Sequence, residues 1–314
     1  MQNWTEGSII SVDNHTFEIT REIARGGMGS VYEAYQLGAN GFRKRMAIKR
    51  ILSSFTQKPD FIEMFVGEGK LVSNLIHQNI VQLYHLGKVE DSYYMAMEFV
   101  DGITLHDFIS HHRLTRKLIP YEISAFIISR VARALNYAHT KTDSVGVPLK
   151  LVHRDCTPKN IMIDNRGFVK LTDFGVAKAA HYLRSREGEI LVGKISYMSP
   201  EQAAFAVTDG RSDIFTLGIA LWEMLTSKNC FDDADTEMCL EQIQHTNVQK
   251  PSLYAERLPK VLDEITMKAL ARDKDKRYRS AALFCADLEK YLYHDRFGVT
   301  NQTLELYLKR FVHD

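Results

Sequence analysis

Residues 151–175, LVHRDCTPKNIMIDNRGFVKLTDFG, constrain this chain more than any other stretch. Leu151 and Val152 form an apolar lead-in that reads as a short buried strand. A polar loop follows, then two alternating runs at 161–164 and 168–171, with Asn165-Arg166-Gly167 between them as a hairpin turn. A loop and a hairpin therefore place His153-Arg154-Asp155, Asn160 and Asp173-Phe174-Gly175, and their polar groups can converge on one point. Asp155 is a candidate base for a substrate hydroxyl. Asn160 and Asp173 offer oxygen ligands suited to hard Mg²⁺.

HRDxxxxN followed by DFG resembles the catalytic core of protein kinases. Either motif alone is a weak signal. Both, in this order, with Asn160 five residues after Asp155, are a strong one. The resemblance implies an α+β, bilobal fold that binds ATP and Mg²⁺ and acts on a protein substrate. It extends over about residues 17–293 and divides into an N-lobe at 17–100 and a C-lobe at 101–293. Residues 1–16 read as a lead-in, and 294–314 as a short helix that packs on the large lobe or starts a linker.

Composition narrows the alternatives. The 314 residues carry 40 basic and 39 acidic side chains, a net charge of +1, so no global field favours nucleic acid or an anionic membrane. Residues 1–7 have no basic cluster, and no apolar run reaches the roughly 18 residues of a membrane span. The nearest, 214–225, contains Glu223 and reads as a buried core helix. Cys156, Cys230, Cys239 and Cys285 lack metal-finger spacing and read as reduced thiols of a cytoplasmic protein. Cys156, inside the catalytic loop, is either reactive or packed and inert, with the second favoured. The twelve histidines contain no HExxH, and His106, His111 and His112 are expected to face solvent on a helix.

The first hundred residues are strand-rich. Runs at 17–24 and 30–37 flank Arg25-Gly26-Gly27-Met28-Gly29, where glycines let backbone amides approach phosphate oxygens. The family's glycine-rich pattern falls on Ala24, Gly26, Gly29 and Val31, with Ala24 in place of the first glycine. A third strand is expected at 43–51. Its Met46-Ala47-Ile48-Lys49 resembles V-A-I-K, which implies that Lys49 contacts the α- and β-phosphates. A helix is expected at 61–76. The spacing of Glu68 to His77-Gln78-Asn79-Ile80-Val81 resembles the family's helix C, and this resemblance implies Glu68 as the partner of Lys49. Gly67 and Gly69 flank that glutamate, and each mid-helix glycine costs about 1 kcal/mol relative to alanine. Either the helix is easily displaced or the glycines serve packing. Met97-Glu98-Phe99-Val100 resembles the hinge between the lobes. There Met97 is the gatekeeper, the backbone of Glu98 and Val100 faces adenine, and Val31, Ala47 and Met162 sandwich the purine.

Helical patterns dominate after residue 100, with a long amphipathic helix at 120–139. The result is a two-lobed protein with a cleft between the lobes. Residues 140–150 exceed what a tight connection needs. Gly193-Lys194-Ile195-Ser196-Tyr197-Met198-Ser199-Pro200-Glu201 resembles the G-T-x-x-Y-x-A-P-E close of the activation segment. Residues 212–218 resemble helix F, where Asp213 pins the catalytic loop. Arg277 matches the arginine that pairs with Glu201, because a buried carboxylate needs a partner.

Two departures appear linked. The family usually has Lys two residues after the catalytic Asp, and Thr in the activation segment. Here those positions are Thr157 and Lys194. Three readings stand: Lys194 supplies the cation while Thr157 takes the hydroxyl role; Lys159 supplies it; or neither does. Arg154 is expected to receive a phosphorylated Ser185, added in trans within a transient homodimer, unless Glu187 and Glu189 mimic that charge. The favoured reading is a Ser/Thr protein kinase of the bacterial, eukaryotic-like kind, with a nucleotide-binding pseudokinase scaffold as the alternative. A small-molecule kinase fits less well, because 199–201 and 213–218 resemble a peptide-docking platform.

Overall fold

The computed structural model describes residues 4–12, 14–26, 29–51, 59–174, 195–231, 235–294 and 297–311. The chain divides into two compact units with a boundary between Val100 and Asp101.

The first unit is an antiparallel sheet in the order β1-β2-β3-β4-β6-β5. Its strands are β1 (Ile9–Val12), β2 (His15–Arg25), β3 (Gly29–Leu37), β4 (Arg43–Ile51), β5 (Leu83–Val89) and β6 (Ser92–Glu98). Strand β1 lies within residues 1–16, which the sequence presents as a lead-in. It pairs with β2 from Ile9↔Glu18 to Val12↔His15. Trp4 precedes it, buried with its ring 5.4 Å from that of Tyr32 and 6.3 Å from that of Tyr94, and the Arg50 guanidinium lies 4.7 Å over it. Four residues carry too little alternation to stand out in a sequence, and Trp4 is alone in its segment. The alternation of β2, β3 and β4 places Phe17, Ile19, Ala34, Met46 and Ile48 in one core with Tyr94 and Ala96.

Helix α1 (Pro59–Val72) starts earlier and ends sooner than the expected 61–76. Proline is favoured in the first turn of a helix. At the other end Ser73 Oγ and Asn74 Nδ2 both donate to the Lys70 carbonyl and draw the chain out of the helix. A Cβ at Gly69 would lie 2.9 Å from a Leu86 methyl and 3.3 Å from Met95 Cε, so this glycine permits a close approach to the sheet. A Cβ at Gly67 meets nothing.

The second unit opens with a three-stranded sheet, β7 (Gly102–Thr104), β8 (Ile161–Asp164) and β9 (Val169–Leu171). Its helices are α2 (Leu105–Thr115), α3 (Tyr121–His139), α4 (Pro200–Ala203), α5 (Gly210–Thr226), α6 (Thr236–His245), α7 (Lys260–Ala269), α8 (Ala281–Tyr293) and α9 (Asn301–Phe311). Helix α5 is buried from Ser212 to Thr226 and packs on α3 and α7. Gly218 marks its closest approach to α7, since a Cβ there would lie 3.0 Å from that of Ala269. Among the described residues no helix is long and apolar enough to cross a membrane.

His106 is exposed and His111 half-buried, but His112 is only 3% exposed, which corrects its expected solvent-facing place. Its Nδ1–H donates to the Phe108 carbonyl, and its Nε2 accepts from the Tyr307 hydroxyl of α9, both at 2.8 Å. Helix α9 thus docks on the second unit through Leu304, Tyr307 and Leu308. Leu306 is exposed. Residues 140–150 fold back on themselves, with Asp143 Oδ1 accepting from the amides of Val145 and Val147.

Candidate active site

In the first unit the register of the sheet arranges the residues expected to hold nucleotide. Val31 lies opposite Lys49, and Ala47 opposite Met97. The glycine-rich turn is closed by Gly26 N–H donating to the Gly29 carbonyl at 2.9 Å. A Cβ at Gly29 would meet the Arg50 carbonyl at 2.6 Å, so no other residue fits there, whereas one at Gly26 makes only an ordinary 3.8 Å contact. Ala24 pairs with Val31 inside β2–β3, a position that accepts its methyl group. Gly27 lies outside the described residues. Lys49 Nζ lies 3.8 Å from Glu68 Oε1, and both side chains are largely withdrawn from water. The Glu98 amide is committed to the Gln82 carbonyl at 2.8 Å.

In the second unit a buried carboxylate organises the catalytic loop. Asp213 accepts from the backbone amides of His153 (2.9 Å) and Arg154 (2.7 Å) and from His139 Nε2 (2.8 Å). Burial alone would raise its pKa. The hydrogen bond from His139 and the neighbouring imidazoles outweigh that and hold it below the ordinary value. Arg154 sits at φ 67°, in the left-handed region that few residues adopt. Two charge-assisted bonds to Asp213 secure the peptide there. His153 accepts the Asp155 amide at Nδ1, donates Nε2–H to the Thr172 carbonyl, and packs its ring 4.5 Å from that of Phe174.

Asp155 is 7% exposed. Asn160 Nδ2 donates to its backbone carbonyl at 2.8 Å and to its Oδ2 at 2.9 Å. In that orientation Asn160 presents Oδ1 as an acceptor. Thr172 donates its amide to the Asn160 carbonyl at 2.9 Å, so Asp173, the next residue, leaves the hairpin beside Asn160. Asp173 is held at φ 58°. One carboxylate and one amide oxygen suit a Mg²⁺ that keeps water and takes phosphate oxygens as its other ligands. Met162 lies on β8, opposite Thr104.

The platform behind the loop is tied to it. Arg277 and Glu201 form a bidentate pair at 2.7 and 2.8 Å with the arginine fully buried, and Ser212 Oγ donates to the same carboxylate at 2.5 Å. Burial would raise the Glu201 pKa, but these bonds hold it below the ordinary value. Ser199, where the family has Ala, caps α4 in a reciprocal box with Gln202. Gln202 Nε2 then donates to the Arg154 carbonyl at 2.9 Å.

A family model for the protein kinase domain matches residues 17–289. The chain belongs to the protein kinase domain family. The domain is 37% identical over 296 residues to tyrosine-protein kinase MasK of Myxococcus xanthus, covering 93% of this chain and 45% of that protein. It is 33% identical over 291 residues to serine/threonine-protein kinase PrkC of Bacillus subtilis, covering 92% and 42%. The chain therefore spans less than half the length of these curated relatives. The Mycobacterium tuberculosis PknI kinase domain has the same bilobal α+β fold, with a TM-score of 0.67 at 24% identity over 92% of this chain and 99% of that one.

Thr157 is buried, and Lys159 is exposed on the 3-10 turn Pro158–Asn160. Lys194 and Ser185, with Gly175, lie outside the described residues. Cys156 is fully buried, and burial together with the charges of Asp213 and Asp155 pushes its thiol well above the ordinary value, which favours the packed reading over the reactive one. Sequence reasoning missed His139 and Gln202. Gln202 had a signal, because the fourth residue of Ser199-Pro200-Glu201-Gln202 completes a capping box. His139 had none, since only the fold brings the end of α3 to Asp213.

Proposed function

We propose that this kinase domain transfers the γ-phosphoryl group of ATP to Ser or Thr hydroxyls of protein substrates. The observation that carries this is the Asp155–Asn160–Asp173 group on a loop pinned by Asp213. Asp155 orients the incoming hydroxyl and takes its proton. Lys49, held by Glu68, steadies the α- and β-phosphates, and the amides of the Gly26–Gly29 turn follow the phosphate chain. Adenine recognition falls to the Glu98 carbonyl and the Val100 amide. Asn160 and Asp173 would hold Mg²⁺, which would offset phosphate charge. Four free thiols and the use of ATP favour a cytoplasmic location.

Arg154 Nε is buried and has no hydrogen-bond partner among the described residues, which supports a regulatory role toward phosphorylated Ser185, added in trans by a second copy. Lys194, with Thr157 in the hydroxyl role, or Lys159 replaces the usual catalytic-loop lysine. A second reading, tyrosine specificity, is favoured by the 37% identity to a tyrosine-protein kinase and by Thr157 in the loop. Phosphoamino-acid analysis of a randomised peptide pool separates them. Phosphoserine and phosphothreonine are expected; phosphotyrosine alone overturns the Ser/Thr assignment, and ATP binding without transfer favours the scaffold.

A further inference from the structure

Helix α9 begins after the residues that the family model matches, and it touches the two elements that flank the catalytic loop. Its first turn lies on the β8–β9 turn. Gly167 has φ +78°, and a Cβ there would sit 2.0 Å from the Asn301 carbonyl and 2.8 Å from the Glu305 amide. Further along, Tyr307 donates to His112 of α2, stacks on its ring with an interplanar angle of 7°, and meets Phe108 edge-on at 6.1 Å. Leu304 is fully buried and Leu308 nearly so.

Both routes lead to the same atoms. Strand β8 starts immediately after Asn160, and β9 ends two residues before Asp173, with Ile161↔Leu171, Met162↔Lys170 and Ile163↔Val169 locking them in register. The far end of this ladder is held by Asn165 N–H donating to the Asp101 carbonyl and by Asp164 Oδ1 accepting from Arg166 and Phe168. Helix α2 packs on the 3-10 turn Pro158–Asn160. A rigid strand pair transmits displacement of its tip to its base, because a packed ladder has few alternative arrangements.

We propose that α9 is a positioning clamp for phosphoryl transfer: by holding the Gly167 turn and His112 together, it sets where Asn160 and Asp173 stand. The clamp acts through those two residues and contacts no substrate. Its catalytic consequence rests on the kinase reading, while the contact itself does not.

The test uses the full chain with Leu304→Asp, which ejects α9 and leaves the hairpin and α2 sequences intact, and with Tyr307→Phe, which removes only the hydroxyl. Hydrogen exchange of residues 161–171 is measured beside kcat, the KM for ATP and the Mg²⁺ concentration for half-maximal rate. Leu304→Asp is expected to speed hairpin exchange at least tenfold, lower kcat about tenfold and raise the Mg²⁺ requirement, with the ATP KM within twofold. Tyr307→Phe is expected to shift each in the same direction by about threefold. Free exchange of α9 with hairpin exchange and kcat at wild-type values overturns the proposal. Should Leu304→Asp fail to fold, Tyr307→Phe decides alone, and wild-type hairpin exchange in it overturns the clamp. A wild-type chain that transfers no phosphate, yet shows hairpin exchange governed by α9, sinks the kinase reading and keeps the contact.

Discussion

Replacing Arg277 by Met removes a guanidinium whose five N–H donors are all used. Nε serves the Ala271 carbonyl, Nη1 serves Glu201 and the Arg211 carbonyl, and Nη2 serves Glu201 and the Arg272 carbonyl. Each bond to a charged group contributes about 1.5–3 kcal/mol, and breaking one side of a buried pair costs about 3–5 kcal/mol because the other charge is stranded. Glu201 then keeps the Ser212 hydroxyl but has lost its cation. With an unfolding entropy of about 2.1 cal/mol/K per residue, a chain of 314 residues loses about 1.5 °C per kcal/mol, so the melting temperature falls by about 5–8 °C. Adding Glu201→Gln removes the stranded charge, so the double variant loses less than the sum of the single losses. The assay is thermal unfolding of the four members of this cycle by calorimetry at neutral pH. A loss under about 2 °C for Arg277→Met, or strict additivity in the double variant, refutes the reasoning.

Further outcomes follow from the same geometry. Gly67→Ala adds about 1 kcal/mol of helix propensity at an open site and raises the melting temperature, while Gly69→Ala gains nothing because its methyl meets Leu86; the reverse order of melting temperatures contradicts this. Asp213→Asn weakens one of the two amide bonds that hold the loop, about 1.5–3 kcal/mol, so kcat falls about 10- to 100-fold while ATP affinity, measured by calorimetry, stays within twofold. Asp213 and Glu201 titrate below their ordinary values of 3.8 and 4.5. Folding therefore favours their charged forms: their stabilisation is complete above those values and is lost as pH falls through the lowered folded values. An acid-unfolding curve of Asp213→Asn is expected to be shallower below pH 4, and an unchanged slope counts against it. Lys194→Met losing no more than about 0.5 kcal/mol of transition-state stabilisation, from kcat/KM, removes Lys194 from the reaction.

The legible parts of this domain are those where chemistry demands a residue type at a fixed spacing. Lys49 and Glu68 lie on a strand and a helix whose periods show in the sequence, and they meet at 3.8 Å. The resemblance to the family's activation-segment close pairs Arg277 with Glu201, and the need of a buried carboxylate for a cation supports it. The illegible parts depend on contacts between distant segments. Strand β1 is four residues long, and Trp4 acquires meaning only against Tyr32, Tyr94 and Arg50. His112 reads as a polar residue on an exposed helix until α9 covers it with Tyr307. The end of α1 was misplaced because Leu75 and Ile76 continue the apolar period, although Ser73 and Asn74 have already diverted the backbone. Lys194 and Ser185 lie outside the described residues.

The central claim is that Asp155 orients the hydroxyl of a protein substrate for transfer of the γ-phosphoryl group of ATP. The direct measurement is transfer from γ-labelled ATP with Mg²⁺ to protein, for the wild-type chain beside Asp155→Asn, with ATP binding measured in both. The account predicts labelled protein from the wild type, a loss of at least about 10²-fold in the variant, and equal ATP affinity. Equal labelling by both proteins, or no labelling by a wild-type chain that still binds ATP, contradicts it.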